Sequence, residues 1–335
     1  MHNFFLHKNI LIFRRFFNSA NRLDIIDISP NIVHINMNII KTTLFALATL
    51  ASIGASAQKS NWQLVWHDEF NEDGKLNEKI WNYENGFVRN HEDQWYQADN
   101  AWCERGLLII EGRTEKRPNP LYRKDGNDWR TSRDSIKYTS SCITTQGKFN
   151  FLYGRLEVRA RIPVTGGAWP AIWTLGEGIE WPSCGEIDIM EYYRINDKPH
   201  ILANAAWGND IHYNAVWNST RTPFTHFLEK DPLWASKFHI WRMDWDKEAI
   251  RLYLDDELLN EIKMKDVKNG SIGNYENPFN KPQYILLNLA MGGDNGGTID
   301  DASLPMRYEI DYVRCYKKIN TPSKKVSYNT LQSNT

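Results

Sequence analysis

The sequence predicts an all-β protein in which two antiparallel sheets pack together as a sandwich or jelly roll. Three features support this fold class: short apolar runs recur along the chain, clusters of Gly, Pro and Asn separate these runs, and long helical patterns are hard to find. Many strands at short spacing are typical of antiparallel sandwiches.

The individual strands follow from local patterns. Residues 155–162 alternate charged and apolar side chains without a break, which predicts a half-buried strand. A hairpin is predicted where the apolar segments 249–254 and 257–259 flank Asp255 and Asp256. Further strands are predicted at 107–110, 241–245, 284–289 and 307–316.

Composition narrows the class of protein. The chain has 335 residues, of which 41% are hydrophobic and 24% charged, so a disordered or collagen-like chain is excluded. Lys and Arg number 40 against 41 Asp and Glu, without the cationic excess that binding nucleic acid requires. The 14 Trp, 15 Tyr and 14 Phe indicate either an aromatic core or a groove that stacks sugar rings.

Residues 37–57 have the pattern of a secretory signal peptide: Lys41 precedes the apolar run 44–50, and Ala-Ser-Ala follows at 55–57. The apolar run is shorter than the ~20 residues of a membrane-spanning helix, so no membrane span is predicted. A buried core helix is the alternative. A secreted or periplasmic protein is therefore expected.

The organisation of the chain follows from this segment. Since signal peptides begin at the initiator Met, residues 1–36 are interpreted as an unstructured upstream extension. The mature domain is predicted at 58–318, and 319–335 as a polar tail. Export makes disulfides possible, but the spacing of the cysteines leaves bridges and buried free thiols equally open. The cysteines are Cys103, Cys142, Cys184 and Cys315.

The most informative segment is a short acidic strand. Glu186 and Asp188 alternate with apolar residues, so both carboxylates share one face. Glu191 would face the other way on a regular strand, but a β-bulge at Ile189 and Met190 would return it to the acidic face. Ile187 and one bulge residue would then face the core.

Two Glu residues at this spacing suit glycoside hydrolysis. Their Cα atoms would lie about 13 Å apart, and inclined side chains would bring the carboxyl groups to ~5–5.5 Å, as in a retaining glycosidase. Crowded like charges raise the pKa of one member, so one acid stays protonated near neutral pH. A solvated strand edge and a calcium site are the alternatives. Neighbouring aromatic residues favour a carbohydrate cleft: Trp169, Trp173, Trp181, Tyr192 and Tyr193.

On these residues the chain resembles glycoside hydrolase family 16, and within it the laminarinase and lichenase-type β-glucanases. The similarity runs from Trp62 to Tyr316 and includes the extra bulge residue before Glu191. The segments that carry it are 66–70, 153–159, 169–173, 185–191 and 311–313.

The resemblance implies a concanavalin-like β-jelly-roll with a concave cleft, and a retaining endo-hydrolase of β-1,3- or mixed β-1,3/1,4-glucans. It implies that Glu186 is the nucleophile, Asp188 its helper and Glu191 the acid/base. The implied substrate-binding residues are Asn90, Arg159, Trp169, Trp173 and Trp181.

For Trp173 and Arg159 the alternatives are core packing and a surface salt bridge. Asp311 matches a ligand of a structural calcium ion, or is an ordinary exposed strand residue. Catalysis is expected to need no cofactor, and the partner is expected to be a β-glucan polysaccharide bound by a monomer.

Two features depart from the family pattern. A His is common on the strand after the motif, where this chain has Asn204, and neither His200 nor His212 clearly replaces it. The segment 209–234 is predicted to be an extended loop beside the leaving-group side of the cleft.

Two alternatives to a β-glucanase remain open. One is a hydrolase of another polymer such as agarose; sulfated porphyran and carrageenan are disfavoured because the sequence shows no cationic cluster at the cleft. The other is a β-glucan-binding module without catalysis, which would be expected to lose one of the three acids.

Overall fold

A computed structural model describes residues 61–319, and these fold into two mainly antiparallel sheets. The predictions for residues 1–36, for the signal peptide at 37–57 and for the tail beyond Ile319 lie outside the described residues. The strands are β1 Trp62–Asp68, β2 Asn82–Tyr83, β3 Gln94–Tyr96, β4 Ala101–Glu104, β5 Leu107–Pro118, β6 Ser135–Ser140, β7 Cys142–Thr144, β8 Gly154–Arg161, β9 Ala168–Gly176, β10 Glu186–Ile195, β11 Lys198–Gly208, β12 Ala215–Pro223, β13 His239–Trp245, β14 Ala249–Leu254, β15 Glu257–Lys263, β16 Gln283–Met291 and β17 Met306–Lys318.

Helices in this part of the chain are short. The α-helices are Trp129–Ser132, Thr225–Lys230 and Gly293–Gly296, and the 3₁₀ turns are Ala98–Asn100, Trp234–Ser236, Met264–Asp266, Ser271–Gly273, Pro278–Asn280 and Asp301–Ser303. Within residues 61–319 no helix has the length and apolar character needed to cross a bilayer.

The two sheets form the layers of a sandwich. One has ten strands in the order β15-β14-β13-β8-β17-β5-β6-β3, with β1 paired to β17 and β4 to β5. The other has seven strands in the order β12-β11-β10-β9-β16-β7-β2. The all-β fold class is confirmed, and every strand predicted from the sequence lies within or overlaps an observed one.

The core lies between the sheets and is built by alternation along the strands. Leu156 and Val158 of β8 are fully buried, whereas Arg155 and Glu157 face outward. Large aromatic residues such as Trp241 are also buried there, so part of the aromatic content serves core packing.

The outer face of the seven-stranded sheet carries a second, smaller cluster. It forms where the segment 84–96 lies over β9, β16 and β7, and this cover explains why β16 is buried along its whole length. The cluster consists of Tyr96, Cys142, Ala171, Trp173, Tyr284 and Leu286. The part of this outer face that segment 84–96 does not cover stays open to solvent.

Two expectations are settled by the fold. All four cysteines are buried free thiols, so the disulfide alternative is not realised. The prediction of an extended loop at 209–234 is wrong, because this segment contains β12 at the sheet edge and the helix Thr225–Lys230. Residues 218–222 of β12 are all polar, so the sequence lacks the apolar–polar alternation that would indicate a strand there.

Candidate active site

The acidic strand is β10, and it contains the predicted bulge. Its register shifts between Asp188 and Glu191 against β11, and between Asp188 and Met190 against β9. Ile189 and Met190 are both fully buried in the core, so the expectation that one bulge residue faces the core is corrected to two. Because two consecutive residues point inward, Glu191 returns to the face that carries Glu186 and Asp188.

A tight turn sets the start of this strand. Gly185 adopts a φ of +82°, and a Cβ there would lie 2.9 Å from a Pro278 side-chain atom. Its carbonyl oxygen accepts hydrogen bonds from the backbone N–H of Gly176 and from Nε2 of Gln283. Glycine is required here because L-residues rarely adopt this φ, and the turn places Glu186 at the first position of β10.

A cleft of about 600 Å³ crosses this face of the seven-stranded sheet. Pairing between strands places its side chains in rows that run across β9, β10, β11 and β12. The rows are Leu175, Glu186, Ala206 and Trp217; Trp173, Asp188, Asn204 and Ser219; and Ala171, Glu191, Leu202 and Arg221. Each of the three carboxylates therefore lies in a row of its own.

Glu186 is held by the loop that precedes β10. The indole Nε1 of Trp181 donates a hydrogen bond to Glu186 Oε2 at 2.6 Å. Burial raises the pKa of Glu186, while this hydrogen bond and the positive charge of Arg89 oppose the rise. The surroundings thus include groups that stabilise an ionised Glu186.

Asp188 lies between the two glutamates and is 2% exposed. Burial raises its pKa well above the usual range, and the charges of Glu186 and Glu191 add to the effect. The carboxyl group of Asp188 is therefore expected to stay protonated and to donate a hydrogen bond to Glu186.

Glu191 receives two hydrogen bonds. Trp169 Nε1 donates to its Oε1 at 2.9 Å, and Asn204 Nδ2 donates to its Oε2 at 3.0 Å. Burial nevertheless raises the pKa of Glu191 to about 7. A carboxyl group with this pKa is able to give up and take back a proton near neutral pH.

One wall of the cleft is the segment 84–96. Arg89 pairs with Glu84, and its guanidinium lies 5.1 Å from the ring centroid of Trp173. Asn90 lines the cleft beside it, and Nδ2 of Asn90 is 3.4 Å from Glu92 Oε1. The opposite wall is β12, which presents Trp217, Ser219 and Arg221.

Comparison with known proteins identifies this arrangement. The sequence model of glycosyl hydrolases family 16 matches residues 114–314. The chain belongs to this family. A β-glucanase of Rhodothermus marinus is 32% identical over 295 residues, which cover 83% of this chain and 94% of the relative. Glucan endo-1,3-β-glucosidase A1 of Niallia circulans is 30% identical over 76% of this chain, which spans 38% of that longer protein.

Two solved structures agree with this chain in fold. The laminarinase catalytic domain of Thermotoga maritima has a TM-score of 0.63 and 33% identity, covering 77% of this chain and 99% of that domain. A structure described with endo-acting O-glycanases of the human gut microbiota, which initiate mucin breakdown, has a TM-score of 0.68 and 34% identity. It covers 78% of this chain and 92% of the matched chain.

Most of the residues predicted for a family 16 site lie together in the cleft. Trp173 lines the cleft with its Nε1 donating to Asn288 Oδ1 at 2.7 Å, yet it is only 7% exposed, so both interpretations of this residue apply. The residues brought together are Glu186, Asp188, Glu191, Asn90, Trp169, Trp173 and Trp181.

The structure does not bring Arg159 to the cleft, so that prediction is wrong. Arg159 lies on β8 in the ten-stranded sheet, faces away from the core, and pairs with Asp311 on the neighbouring β17. The surface salt bridge was the correct alternative, because strand alternation directs Arg159 outward on the other sheet.

The calcium ion expected from the resemblance would be bound by Asp311, the residue that forms this ion pair. The ion pair engages the Asp311 carboxylate, and in the described part of the chain no group of three or more His, Cys, Asp or Glu side chains is placed to hold a metal. Because calcium is also held by backbone carbonyl and amide oxygen atoms, the calcium site at Asp311 stays a prediction.

Sequence reasoning missed several residues of the cleft. The sequence indicates Asn204 only as a departure from the family pattern, although it contacts two of the acids. His200 and His212 do not line the cleft; His212 bonds to Glu180 instead. No local pattern in the sequence marks the missed residues, and only the fold reveals them. The missed residues are Arg89, Glu92, Asn204, Trp217, Ser219, Arg221, Asn288 and Asn295.

Proposed function

We propose that this protein is a retaining endo-hydrolase of β-1,3- or mixed β-1,3/1,4-glucans. The observation that carries the proposal is the placement of Glu186, Asp188 and Glu191 on one face of β10, at the centre of a cleft lined by Trp side chains. Hydrolysis with retention uses two carboxyl groups in most glycoside hydrolases, and aromatic rings stack against the C–H faces of sugars.

In the first step an ionised oxygen of Glu186 attacks the anomeric carbon. The bond from this carbon to the glycosidic oxygen breaks, and Glu191 gives its proton to the departing oxygen. The glycone remains as an ester of Glu186. The positive charge of Arg89, which opposes the rise in the pKa of Glu186, and the pKa of about 7 of Glu191 support this division of roles.

In the second step a water molecule attacks the same anomeric carbon. The Glu191 carboxylate takes a proton from the water as the ester bond to Glu186 breaks, and the sugar leaves with its original β-configuration. Asp188 hydrogen-bonds to Glu186 and is expected to modulate its charge in both steps. No metal ion or cofactor is assigned a role in these steps.

The substrate class is supported by relatives named as β-glucanases, as a glucan endo-1,3-β-glucosidase and as a laminarinase. A second candidate is hydrolysis of mucin O-glycans. It is favoured by the structure described with endo-acting O-glycanases, and by two cleft arginines, Arg89 and Arg221, that the sequence did not reveal as a pair.

The deciding experiment is the release of reducing ends from laminarin, lichenan, agarose and mucin O-glycans. Laminarin or lichenan is expected to be cleaved fastest. Cleavage confined to mucin glycans would support the second candidate, and binding without any cleavage would indicate a carbohydrate-binding module.

A matched pair of variants tests the nucleophile. Glu186→Gln is expected to lower kcat by at least about 1,000-fold, because no carboxylate remains to form the ester. Glu177→Gln changes an exposed glutamate of the β9–β10 loop and is expected to be neutral. Proton NMR of the first product should give the β-anomer; an α-anomer would exclude retention.

We further propose that the mature protein acts outside the cytoplasm as a monomer. The signal-peptide pattern at 37–57 supports export. Fractionation of the producing cell and gel filtration of the purified protein test the two statements.

A further inference from the structure

The loop between β5 and β6 lies against the cleft wall formed by segment 84–96. A short helix in this loop and the residue after the helix supply two arginines, Arg130 and Arg133, which form an arginine clamp. We propose that the clamp consists of positioning residues that hold the cleft wall in place and thereby keep Arg89 beside Glu186. The proposal rests on the hydrolase function and extends it to residues outside the cleft lining.

Both guanidinium groups of the clamp donate hydrogen bonds to backbone carbonyl oxygens of segment 84–96. Arg130 binds two consecutive carbonyl groups at 3.1 and 2.7 Å, and Arg133 binds two further ones, each at 2.8 Å. The four carbonyl groups belong to Phe87, Val88, His91 and Glu92. They lie on both sides of Arg89 and Asn90, so the clamp fixes the backbone before and after these two residues, which line the cleft.

The backbone of this wall needs such support. Between β2 and β3, residues 87–93 belong to no strand, so their carbonyl groups must find partners other than a neighbouring strand. Asn90 and His91 both have a left-handed backbone, with φ of +54° and +50°, which costs free energy for residues other than glycine. Hydrogen bonds from two charged guanidinium groups offset this cost and favour one conformation of the wall.

The clamp is itself held in position. The guanidinium groups of Arg130 and Arg133 lie 4.7 and 5.1 Å from the ring centroid of Trp129. Nδ2 of the buried Asn119 donates to the carbonyl oxygens of the same two arginines at 2.8 and 2.7 Å. Arg133 also lies 5.0 Å from the ring centroid of Phe87. These contacts preorganise both guanidinium groups, so little conformational freedom is lost when they bind the wall.

The clamp acts on catalysis through Arg89. Burial, Trp181, Asp188 and Arg89 all act on the pKa of Glu186, and Arg89 is the positive charge among them, which opposes the rise that burial causes. Arg89 pairs with Glu84 of the same segment, so the pair moves with the wall. Displacement of the wall would therefore make the nucleophile harder to ionise.

The first test measures the wall itself. Arg130→Ala and Arg133→Ala, combined in one double variant, are expected to speed amide hydrogen exchange in this part of the wall about tenfold or more. The amide protons of Glu92 and Asp93 report this change, because both are hydrogen-bonded to carbonyl oxygens in the folded protein. Arg123→Ala removes an exposed arginine of the same loop and should leave their exchange unchanged.

The second test connects the wall to catalysis. On a gluco-oligosaccharide that the wild-type enzyme cleaves, the double variant is expected to lower kcat/KM about tenfold or more, because the cleft groups are misplaced. The acid limb of its pH–rate profile should move to higher pH, since Glu186 loses the nearby charge of Arg89. The alkaline limb, which depends on Glu191, should stay in place. Arg133→Lys supplies a single ammonium group in place of paired donors, so an intermediate loss is expected.

The outcomes separate the two proposals. Unchanged exchange at Glu92 and Asp93 in the double variant would overturn the clamp. Faster exchange with an acid limb that does not move, or with the same loss of activity at every pH, would overturn the connection to Glu186. A wild-type protein that cleaves no glycan would overturn the hydrolase function, and hydrogen exchange would still decide whether the clamp holds the wall.

Discussion

Asn204 on β11 donates a hydrogen bond from Nδ2 to Glu191 Oε2 at 3.0 Å. The same Nδ2 lies 3.3 Å from Asp188 Oδ2, so one amide connects two of the three acids. Asp188 and Asn204 are direct partners in the β10–β11 register, and the bulge then brings Glu191 to the same amide. The strand that follows the acidic motif is therefore part of the catalytic arrangement.

Removal of this amide is expected to impair catalysis. Asn204→Ala should lower kcat/KM about tenfold or more, because Glu191 loses a positioning hydrogen bond. The bond from Asn204 lowers the pKa of Glu191, so its loss should move the alkaline limb of the pH–rate profile to higher pH. Asn218→Ala on the adjacent β12 removes a side chain that bonds Asn260 instead, and should leave the profile unchanged. An unshifted limb in Asn204→Ala would contradict this role.

The pH dependence of the wild-type enzyme follows from Glu191. Burial raises its pKa to about 7, and the first step needs the protonated form. The value of kcat/KM is therefore expected to fall as pH rises through about 7. A profile of kcat/KM against pH on an oligosaccharide reports this pKa in the free enzyme. Full activity maintained to pH 9 would contradict the assignment of Glu191 as the acid.

Asp188 is expected to reduce stability at neutral pH. Its folded-state pKa is well above the reference value of 3.8, so the folded protein binds a proton that the unfolded chain releases. This extra proton therefore stabilises the folded protein fully below about pH 4. The stabilisation falls by about 1.4 kcal/mol per pH unit as pH rises toward the folded-state pKa of Asp188.

Asp188→Asn removes this titration and tests the sign. The difference in Tm between Asp188→Asn and wild type should increase from pH 4 to pH 7 in favour of the variant, while kcat decreases. Thermal unfolding at several pH values measures it. A difference in Tm that does not change with pH would contradict the raised pKa.

The indole of Trp181 is expected to act through Glu186. Trp181→Phe removes the N–H that donates to Glu186 Oε2, and this bond lowers the pKa of the nucleophile. The acid limb of the pH–rate profile should therefore move to higher pH, with kcat/KM lower by about tenfold. Trp102→Phe removes a comparable indole bond, to Glu104 on the ten-stranded sheet, and should change neither quantity. Identical behaviour of the two variants would refute the role of Trp181.

Much of the fold and the centre of the site were predictable because their signals are local. The alternation at 155–162 indicates one buried and one exposed face, and residues 155–161 lie in β8. The spacing of Glu186, Asp188 and Glu191 required a bulge for all three to share a face, and the register shift in β10 confirms it. The sequence pattern did not determine the direction of the Ile189 and Met190 side chains, and both face the core.

The residues that were missed or misplaced depend on which sheet a strand joins. Arg159 has the alternating pattern of a half-buried strand, but nothing near it in the sequence tells which sheet β8 enters. Arg89 is distant in sequence from Trp173, and their contact exists only because segment 84–96 folds over β9. The run of polar residues at 218–222 is typical of a loop, and only the pairing with β11 shows that β12 is an edge strand.

The amino-acid sequence by itself determined the strand-rich class, the acidic row and its bulge, since these depend on the period of two along one strand. Tertiary structure decided which groups surround that row: Asn204, Arg89 and the β12 wall, and the exclusion of Arg159. The physical reason is that strand order and register are set by packing between distant segments, and a side chain's neighbours across a sheet leave no trace in its own local pattern.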